Sequence, residues 1–313
     1  MHIVILDGGS TNPGDVSWAP LRALGSVTVY DSTKPEEIVE RAKDAEAVIL
    51  NRNVISREIM QKLPKLRFIG LLATGYNTVD VKAAGELGIT VCNVPLYCVE
   101  TVAQQAFALL LELCNHTEKI SAATRGGDWD KAETMSHSTH PLFELYGKTL
   151  GIGHIGQTVA KLGAALGMKI LVYSRTKREL PERYQWAELD ALFKNADVVS
   201  LHCPLTDETR GLVNAERLNL MKPTAFLINT ARGAVVDEAA LAEALNSGRI
   251  AGAGLDVLVH EPPKKDDPLL TAKNCIVTPH IAWASRDARA RLIKTVAENL
   301  KAFRNGTPQN VVS

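Results

Sequence analysis

The chain has 313 residues, which is enough for two domains with large cores. Its 35 basic and 35 acidic residues give a formal net charge of zero, so no electrostatic attraction to nucleic acid or to an anionic membrane is expected. No apolar run approaches the roughly 18 residues of a membrane span, and the first residues lack a charged leader. The five cysteines are scattered without a CxxC pair, as is typical of reduced thiols. We expect a cytoplasmic protein that binds neither nucleic acid nor membranes.

The first third of the chain alternates short apolar strands with helical segments, which predicts an α/β fold with a parallel sheet. The predicted strands are 3–6, 27–30, 47–50, 68–72 and 90–93. Ligands of such a sheet lie near the carboxyl ends of its strands. Thr74 and Gly75 follow one of these ends, and the backbone amides of a Thr-Gly turn can hold a carboxylate. A plain turn is the alternative interpretation of these two residues.

From Val102 onwards the apolar period changes to that of a long helix, which is a natural crossing between two domains. Its apolar face is formed by four residues, Ala106, Leu109, Leu110 and Leu113. The segment that follows, residues 125–145, has little periodicity. Its His137 and His140 could bind a metal ion, but no third ligand accompanies them, so we interpret this segment as a surface loop and expect no metal.

A glycine motif, GIGHIG at residues 151–156, separates a short apolar segment from a helical pattern that begins at Gln157. In a dinucleotide fingerprint, Gly151 would allow a tight strand-to-helix turn, Gly153 would let the backbone approach a pyrophosphate, and Gly156 would permit close helix packing. The pyrophosphate would rest on the amino end of that helix. A glycine-rich packing turn is the alternative. Only residues 147–150 separate Tyr146 from the motif, so the strand before the motif is expected to be short.

The segments after the motif complete a predicted strand-helix-strand unit, with the second strand at residues 169–173. The helix has an apolar face formed by Ile155, Val159, Leu162 and Leu166. An acidic residue at the end of the second strand would bind the ribose of NAD, but Ser174 stands there, followed by Arg175, Thr176 and Lys177. These side chains suit a 2′-phosphate, so we expect NADPH to be preferred and NADH to be the second option. The alternative is that Arg175 and Lys177 are solvated loop residues.

Four further strands are expected in the second half of the chain, at residues 198–201, 225–229, 253–257 and 275–278. Polar groups follow three of them, which places Arg232, Glu261 and His280 near the carboxyl edge of one sheet. Ser285 is then expected to cap the last helix. The apolar face of that helix is formed by Leu292, Val296, Leu300 and Phe303.

An arginine, a glutamate and a histidine at one sheet edge are the groups needed to reduce a 2-oxo acid. Arg232 can bind the substrate's carboxylate and carbonyl with its planar fork of donors. His280 can protonate the carbonyl oxygen as hydride arrives, and a neighbouring Glu261 would keep the imidazole protonated near neutrality. Taken singly, each residue also has a plain interpretation, as a surface ion pair, a solvated turn or a structural histidine.

Seven motifs together resemble the NAD(P)-dependent D-2-hydroxyacid dehydrogenase family over essentially the whole chain. They are TGYNTVD at 74–80, GIGHIG at 151–156, HCPLTDETRGL at 202–212, FLINTARGAVVDE at 226–238, GLDV at 254–257, EPP at 261–263 and TPHIAWAS at 278–285. The variants ATGYN, VAQ at 102–104 and PHIAWAS are most similar to the glycerate dehydrogenase and hydroxypyruvate reductase branch. The resemblance implies an oxidoreductase that reduces 2-oxo acids of the hydroxypyruvate and glyoxylate type to D-2-hydroxy acids with NAD(P)H.

The resemblance further implies two doubly wound parallel-sheet domains. A flavodoxin-like substrate-binding domain would comprise residues 1–98 and 285–313, and a Rossmann cofactor domain would comprise residues 99–284. Members of the family are usually dimeric through the region after Val102, so we expect a homodimer.

Carried over residue by residue, Arg232, Glu261 and His280 match the family's catalytic residues, and Thr74 with Gly75 matches the turn that holds the substrate carboxylate. We expect the cofactor to be bound by Gly151, Gly153, His154, Ile155, Gly156, Ser174, Arg175, Thr176, Cys203, Pro204, Thr209, Thr230, Ala231, Arg232, Asp256 and His280.

The chain departs from the family in the stretch after Gly147, which is about three residues short ahead of the fingerprint and is expected to affect the cofactor loop. Two other functions stay open, because a fold does not determine an activity. Related folds serve as dinucleotide-sensing binding proteins, and other members oxidise small anions such as formate or phosphite. The complete set of Arg232, Glu261 and His280 favours a 2-oxo acid reductase over both.

Overall fold

The computed structural model describes residues 1–138, 140–152, 156–174, 176–177 and 179–313. The chain forms two compact units, one of Met1–Val99 with Trp283–Ser313 and the other of Glu100–Ala282. The predicted boundaries were one to two residues away, after residues 98 and 284.

The secondary structure consists of short strands that alternate with helices. The strands are β1 (His2–Ile5), β2 (Ser26–Val29), β3 (Ala47–Leu50), β4 (Phe68–Leu71), β5 (Thr90–Cys92), β6 (Thr149–Ile152), β7 (Lys169–Val172), β8 (Tyr184–Trp186), β9 (Val198–Leu201), β10 (Phe226–Asn229), β11 (Gly252–Leu255) and β12 (Cys275–Val277). The α-helices are α1 (Gly8–Thr11), α2 (Ala19–Arg22), α3 (Ile38–Ala42), α4 (Arg57–Gln61), α5 (Val81–Glu86), α6 (Val99–Asn115), α7 (Thr117–Arg125), α8 (Gln157–Ala165), α9 (Leu189–Asn195), α10 (Ala215–Leu220), α11 (Glu238–Asn246) and α12 (Arg286–Arg304). Three 3₁₀ turns lie at Pro35–Glu37, Gly233–Val235 and Pro268–Leu270.

The first unit is built on a five-stranded sheet in the order β2-β1-β3-β4-β5, and all its strand pairs are parallel. This is the order of flavodoxin-like domains. Strands β3 and β4 are buried along their whole length, as their continuous apolar runs predict for strands covered on both faces. Helix α12 packs in this unit with Leu292, Val296 and Leu300 buried, and the Ser285 hydroxyl caps it by accepting from the Ala288 amide at 3.2 Å. The predicted cap and apolar face of this helix are confirmed.

The second unit is built on a seven-stranded parallel sheet in the order β12-β11-β10-β9-β6-β7-β8. Six of these strands follow the Rossmann order, and the chain reverses direction across the sheet between β6 and β9. That reversal is the topological switch point, where open α/β sheets bind their ligands. The predicted fold class, two doubly wound parallel sheets, is therefore confirmed. Strand β8 was missed because its three residues, Tyr184–Trp186, are too few to establish a period.

The structure corrects the prediction for Gly151, which lies inside β6 and not at the strand-to-helix turn. Gly151 pairs with Leu171 of β7 and Val199 of β9, and a Cβ atom on it would lie 2.6 Å from the Leu192 side chain. Strand β6 therefore has four residues, as many as its two neighbours, so it is not short. The connection is short instead, because only residues 153–156 separate Ile152 from α8.

The predicted apolar face of α8 is also wrong in part. Leu162 and Leu166 are 38% and 43% exposed, and the buried residues are Val159, Ala160 and Gly163. A Cβ atom on Gly163 would lie 2.6 Å from Leu150, so the helix approaches the sheet through its small residues. Predicted face residue Ile155 lies outside the described residues. By contrast, the four predicted apolar residues of α6 are all buried.

Candidate active site

Three neighbouring strands of the second unit end level with one another. Asn229 of β10 pairs with Leu255 of β11, and Leu255 pairs with Val277 of β12. The segments that follow these strands carry Arg232, Glu261 and His280. The structure therefore places the three predicted catalytic residues along one carboxyl edge.

The His280 ring and the Glu261 carboxylate are in direct contact at this edge. The Nδ1 atom of His280 lies 2.6 Å from Oε2 of Glu261, and about a third of each side chain is exposed. The backbone of His280 has a φ angle of +54°, which is uncommon for a residue with a side chain. Because Glu261 takes Nδ1, the other ring nitrogen, Nε2, is the one available to a substrate.

Asp256 holds the turn that carries His280. Its carboxylate is completely buried and accepts hydrogen bonds from the Thr278 hydroxyl at 2.5 Å, the Ile281 amide at 3.0 Å and the Ala282 amide at 2.7 Å. The backbone carbonyl of Asp256 also accepts from the His280 amide at 2.8 Å. These bonds hold the left-handed backbone of His280 in place. The role of Asp256 in binding the cofactor stays a prediction.

Arg232 lies in a turn that Asn229 stabilises. The Asn229 side chain donates to the Arg232 carbonyl at 3.0 Å and accepts from the Ala231 amide at 3.0 Å. The Arg232 side chain is exposed, and its Nη1 donates to the Ala231 carbonyl at 2.7 Å. It forms no ion pair with any residue that the structure describes, so its remaining donors can bind an anion.

Gly233 brings the arginine turn against the loop that carries Glu261. A Cβ atom on Gly233 would lie 2.0 Å from the carbonyl carbon of Leu258, a distance that excludes every side chain. Leu258 in turn donates its amide to Oε1 of Glu261 at 3.0 Å. The segments of Arg232 and Glu261 are therefore in backbone contact.

A cavity of about 290 Å³ lies at the switch point of the same sheet. Its wall includes the carboxyl ends of β6 and β9 and the segment after β7. The predicted cofactor-binding residues that line it are Gly151, Ser174, Thr176, Cys203, Pro204 and Thr209. The predicted residues Thr230, Ala231 and Asp256 follow β10 and β11 at the edge described above.

Comparisons with known proteins identify the family of the chain. The sequence model of the NAD-binding domain of the D-isomer specific 2-hydroxyacid dehydrogenases matches residues 107–282. The chain belongs to this family. It is 46% identical over 321 aligned positions to a hydroxypyruvate reductase of Blautia hydrogenotrophica, with all of both chains covered. It is 41% identical to a glycerate dehydrogenase of Methylorubrum extorquens, with 90% of each chain covered. The crystal structure of the TT0316 protein of Thermus thermophilus covers all of both chains with a TM-score of 0.88 at 37% identity.

The residues that line the cavity of this dehydrogenase fit a nicotinamide dinucleotide at the switch point. Gly156 is the amino-terminal cap of α8, where free amides favour a pyrophosphate. The buried Thr230 hydroxyl, at the end of β10, has no hydrogen-bond partner among the described residues. A buried hydroxyl without a partner is costly, and a bound ligand would satisfy it. Four predicted cofactor residues, Gly153, His154, Ile155 and Arg175, lie outside the described residues.

The buried groups of the cavity wall are uncharged near neutral pH. Burial lowers the pKa of His202 to about 4, and the ring shares a 2.8 Å hydrogen bond with the Ser200 hydroxyl. Burial also raises the pKa of the Cys203 thiol, which keeps it protonated. Glu208 is the one acidic residue among the described lining residues, and it accepts from the Thr206 hydroxyl at 2.6 Å.

In the segment predicted to bind a 2′-phosphate, Ser174 and Lys177 already contact other residues of the protein. Ser174 is buried, and its hydroxyl donates to the Thr176 carbonyl at 2.7 Å. The Lys177 ammonium lies 3.9 Å from the centre of the Trp186 ring, so a cation-π contact holds it. Among the described residues of this segment, no carboxylate occupies the position that would bind the ribose of NAD.

The predicted substrate turn belongs to the first unit. The Thr74 hydroxyl donates to the Val94 carbonyl at 2.8 Å, and the Asn93 side chain donates to the Thr74 carbonyl at 2.7 Å. These bonds hold the backbone at Thr74 and Gly75, and the role of both residues in substrate binding stays a prediction.

Sequence reasoning missed several residues that shape the site. Asn229 and Gly233 lie in the FLINTARGAVVDE motif, but no role was predicted for either. The asparagine could have been recognised, because an Asn side chain commonly accepts from the backbone amide two residues later in a turn. The ring centroid of His140, in the surface loop, lies 5.0 Å from that of His116 with the rings tilted, and no group of three metal-ligating residues occurs in the described part of the chain. No helix among the described residues is long and apolar enough to span a bilayer.

Proposed function

We propose that this chain reduces short 2-oxo acids, hydroxypyruvate first and glyoxylate as a poorer substrate, to the D-2-hydroxy acids. The observation that carries the proposal is the 2.6 Å contact between His280 and Glu261 at the same sheet edge as Arg232. A carboxylate-paired histidine is a proton donor, and an arginine with free donors binds a carboxylate. The names of the two curated relatives support the same substrate class.

In this reaction His280 supplies the proton. The protonated ring donates Nδ1–H to Glu261 and Nε2–H to the substrate's carbonyl oxygen. The nicotinamide, when bound, supplies the hydride that reaches the carbonyl carbon. Proton transfer leaves His280 neutral, with its orientation still held by Glu261. The carbonyl is thus reduced to a hydroxyl, because the proton from His280 neutralises the negative charge that develops on the oxygen.

Arg232 binds and orients the substrate in this proposal. The planar guanidinium can donate two parallel hydrogen bonds to the carboxylate of a 2-oxo acid. Holding the reacting carbonyl beside His280 removes much of the entropic barrier to reaction. Thr74 and Gly75 are the other residues proposed to bind a substrate carboxylate, through their backbone amides.

A substrate panel with both cofactors tests the proposed function. Hydroxypyruvate, glyoxylate, pyruvate and a branched 2-oxo acid are each offered with NADPH and with NADH, and oxidation of the cofactor is followed at 340 nm, its usual absorption band. We expect the highest kcat/KM with hydroxypyruvate. Absence of turnover with every 2-oxo acid, together with tight cofactor binding, would favour a dinucleotide-sensing protein. Oxidation of formate or phosphite by NADP⁺ would favour a dehydrogenase for small anions.

We also propose that NADPH is the preferred cofactor, and Arg175 provides the test. Ser174, unlike an acid at that position, does not repel a 2′-phosphate, and Arg175 offers it a planar set of donors. Arg175→Ala is expected to weaken NADPH binding about ten- to a hundred-fold and to leave NADH binding nearly unchanged, because one charge-assisted contact is lost. Titration of protein fluorescence with each cofactor measures both dissociation constants. Equal constants in the unmodified protein, or an equal loss for both cofactors, would overturn the preference.

A homodimer is the proposed assembly, and an exposed apolar surface in the second unit supports it. Leu142 and Tyr146 are 61% and 75% exposed and line one depression with Leu111 and Leu166. Such a patch is typical of protein interfaces. Sedimentation velocity is expected to give twice the 33.9 kDa mass of the chain. The cytoplasmic location stays a prediction from the sequence.

A further inference from the structure

Glu238 is the first residue of α11, and its side chain binds a distant loop and not its own helix. Its Oε1 accepts a hydrogen bond from the Val259 amide at 2.7 Å, 21 residues further along the chain. The helix does not need this carboxylate as a cap, because Asp237 already accepts from the Ala240 amide at 3.1 Å. The Glu238 carboxylate is therefore committed to the segment that follows β11.

That segment carries Glu261. The Leu258 amide donates to one oxygen of Glu261 at 3.0 Å, and the other oxygen contacts His280 at 2.6 Å. Val259 lies between these contacts, and its side chain is 43% exposed, so burial does little to fix the loop there. Hydrogen bonds to two adjacent backbone amides, Val259 and Leu258, thus connect Glu238 through the loop backbone to Glu261, which contacts His280.

Glu238 is kept in this place against an electrostatic cost. Partial burial raises the pKa of its carboxyl, and the nearby Asp267 and Asp237 raise it further, whereas the Val259 amide and His260 lower it. A carboxylate next to two acids does not favour stability by itself, because a partly buried charge needs compensation. The amide of Val259 is the main compensation, so the carboxylate and the loop position each other.

We propose that Glu238 is a positioning residue for the catalytic pair. By holding Val259, its carboxylate sets the orientation in which Glu261 meets His280. The proposal rests on the proposed function in one respect, namely that His280 is the proton donor.

Three variants separate positioning from mere stability. Glu238→Ala removes the acceptor of the Val259 amide and is expected to lower kcat for hydroxypyruvate about tenfold with little change in KM, since a hydrogen bond to a charged group is lost. Glu238→Gln keeps an oxygen that can accept from the amide and should recover most of that loss. Glu243→Ala, an exposed position on the same helix, is the matched control. Thermal unfolding of each variant measures the accompanying change in stability.

A second readout does not depend on turnover. NMR of ring-labelled histidine follows the titration of His280, identified among the eight histidines by its absence from His280→Ala. Glu238→Ala should move the titration midpoint in the same direction as Glu261→Gln, and by a smaller amount. If the midpoint moves but the unmodified protein reduces no 2-oxo acid, the proposed function fails and the positioning role stands. If Glu238→Ala lowers the unfolding temperature while kcat and the His280 titration stay unchanged, Glu238 is structural only.

Discussion

Replacing His280 with alanine is expected to lower kcat for hydroxypyruvate reduction by about two to four orders of magnitude, the usual contribution of a general acid. The ring is only partly buried, so its removal leaves a small space that water fills at the site surface. Asp256 binds the backbone at residues 280–282, so the turn should survive the substitution. His280 was also expected to contact the cofactor, but it is not among the residues that line the cavity and its proposed task is proton transfer, so NADPH should bind with nearly unchanged affinity.

Steady-state kinetics and a cofactor titration check this expectation together. His137→Ala, in the exposed loop of the second unit, is the control for a histidine without a role and should match the unmodified protein. A His280→Ala variant that keeps more than a tenth of the activity would show that another group supplies the proton. An equal loss of cofactor binding would show that His280 binds and does not catalyse.

Replacing Gly233 with alanine is expected to lower kcat/KM at least about a hundredfold, because a misplacement of about 1 Å near the reacting groups already costs that much. The added Cβ would lie 2.0 Å from the Leu258 carbonyl carbon and 2.2 Å from its oxygen. Both atoms belong to the backbone, so neither can rotate away. The turn of Arg232 and the loop of Glu261 must therefore move apart, and a lower unfolding temperature should accompany the lost activity.

Gly85→Ala is the control for this substitution. Gly85 lies inside α5, and the nearest atom to a Cβ on it is 3.9 Å away, so a methyl group fits there and alanine favours the helix. Gly233→Ala with unchanged kcat/KM and a normal unfolding temperature would mean that the two segments do not need their contact.

Much of the site was predictable because the ends of buried parallel strands can be recognised in the sequence. In a run such as Phe226–Asn229 the first three residues are apolar, since both faces of the sheet are covered, and the polar residues that follow must lie at the carboxyl edge. Arg232 and His280 each follow such a run by three residues. Glu261 was expected beside His280, and the structure gives the 2.6 Å distance between Nδ1 and Oε2.

The roles of Asp256 and Glu238 could not be assigned in the same way. Asp256 was expected to bind the cofactor, which stays a prediction, and its buried carboxylate also accepts amides from residues 25 and 26 positions away. Glu238 lies in the first turn of α11, where a carboxylate favours the helix dipole. The hydrogen-bond partners of each carboxylate lie on a distant segment of the chain. The positions of residues in the sequence do not show which distant segments are in contact.

The sequence by itself determined the two parallel sheets, the strand ends that carry Arg232 and His280, and the buried faces of α6 and α12, because strand and helix periods depend only on neighbouring residues. Tertiary structure decided the place of Gly151, since β7 and β9 extend β6 through Ile152 to complete its hydrogen bonds. It also decided the face of α8, where close approach to Leu150 selects small residues over leucines. Both outcomes depend on backbone partners and packing distances that arise only when separate segments are brought together.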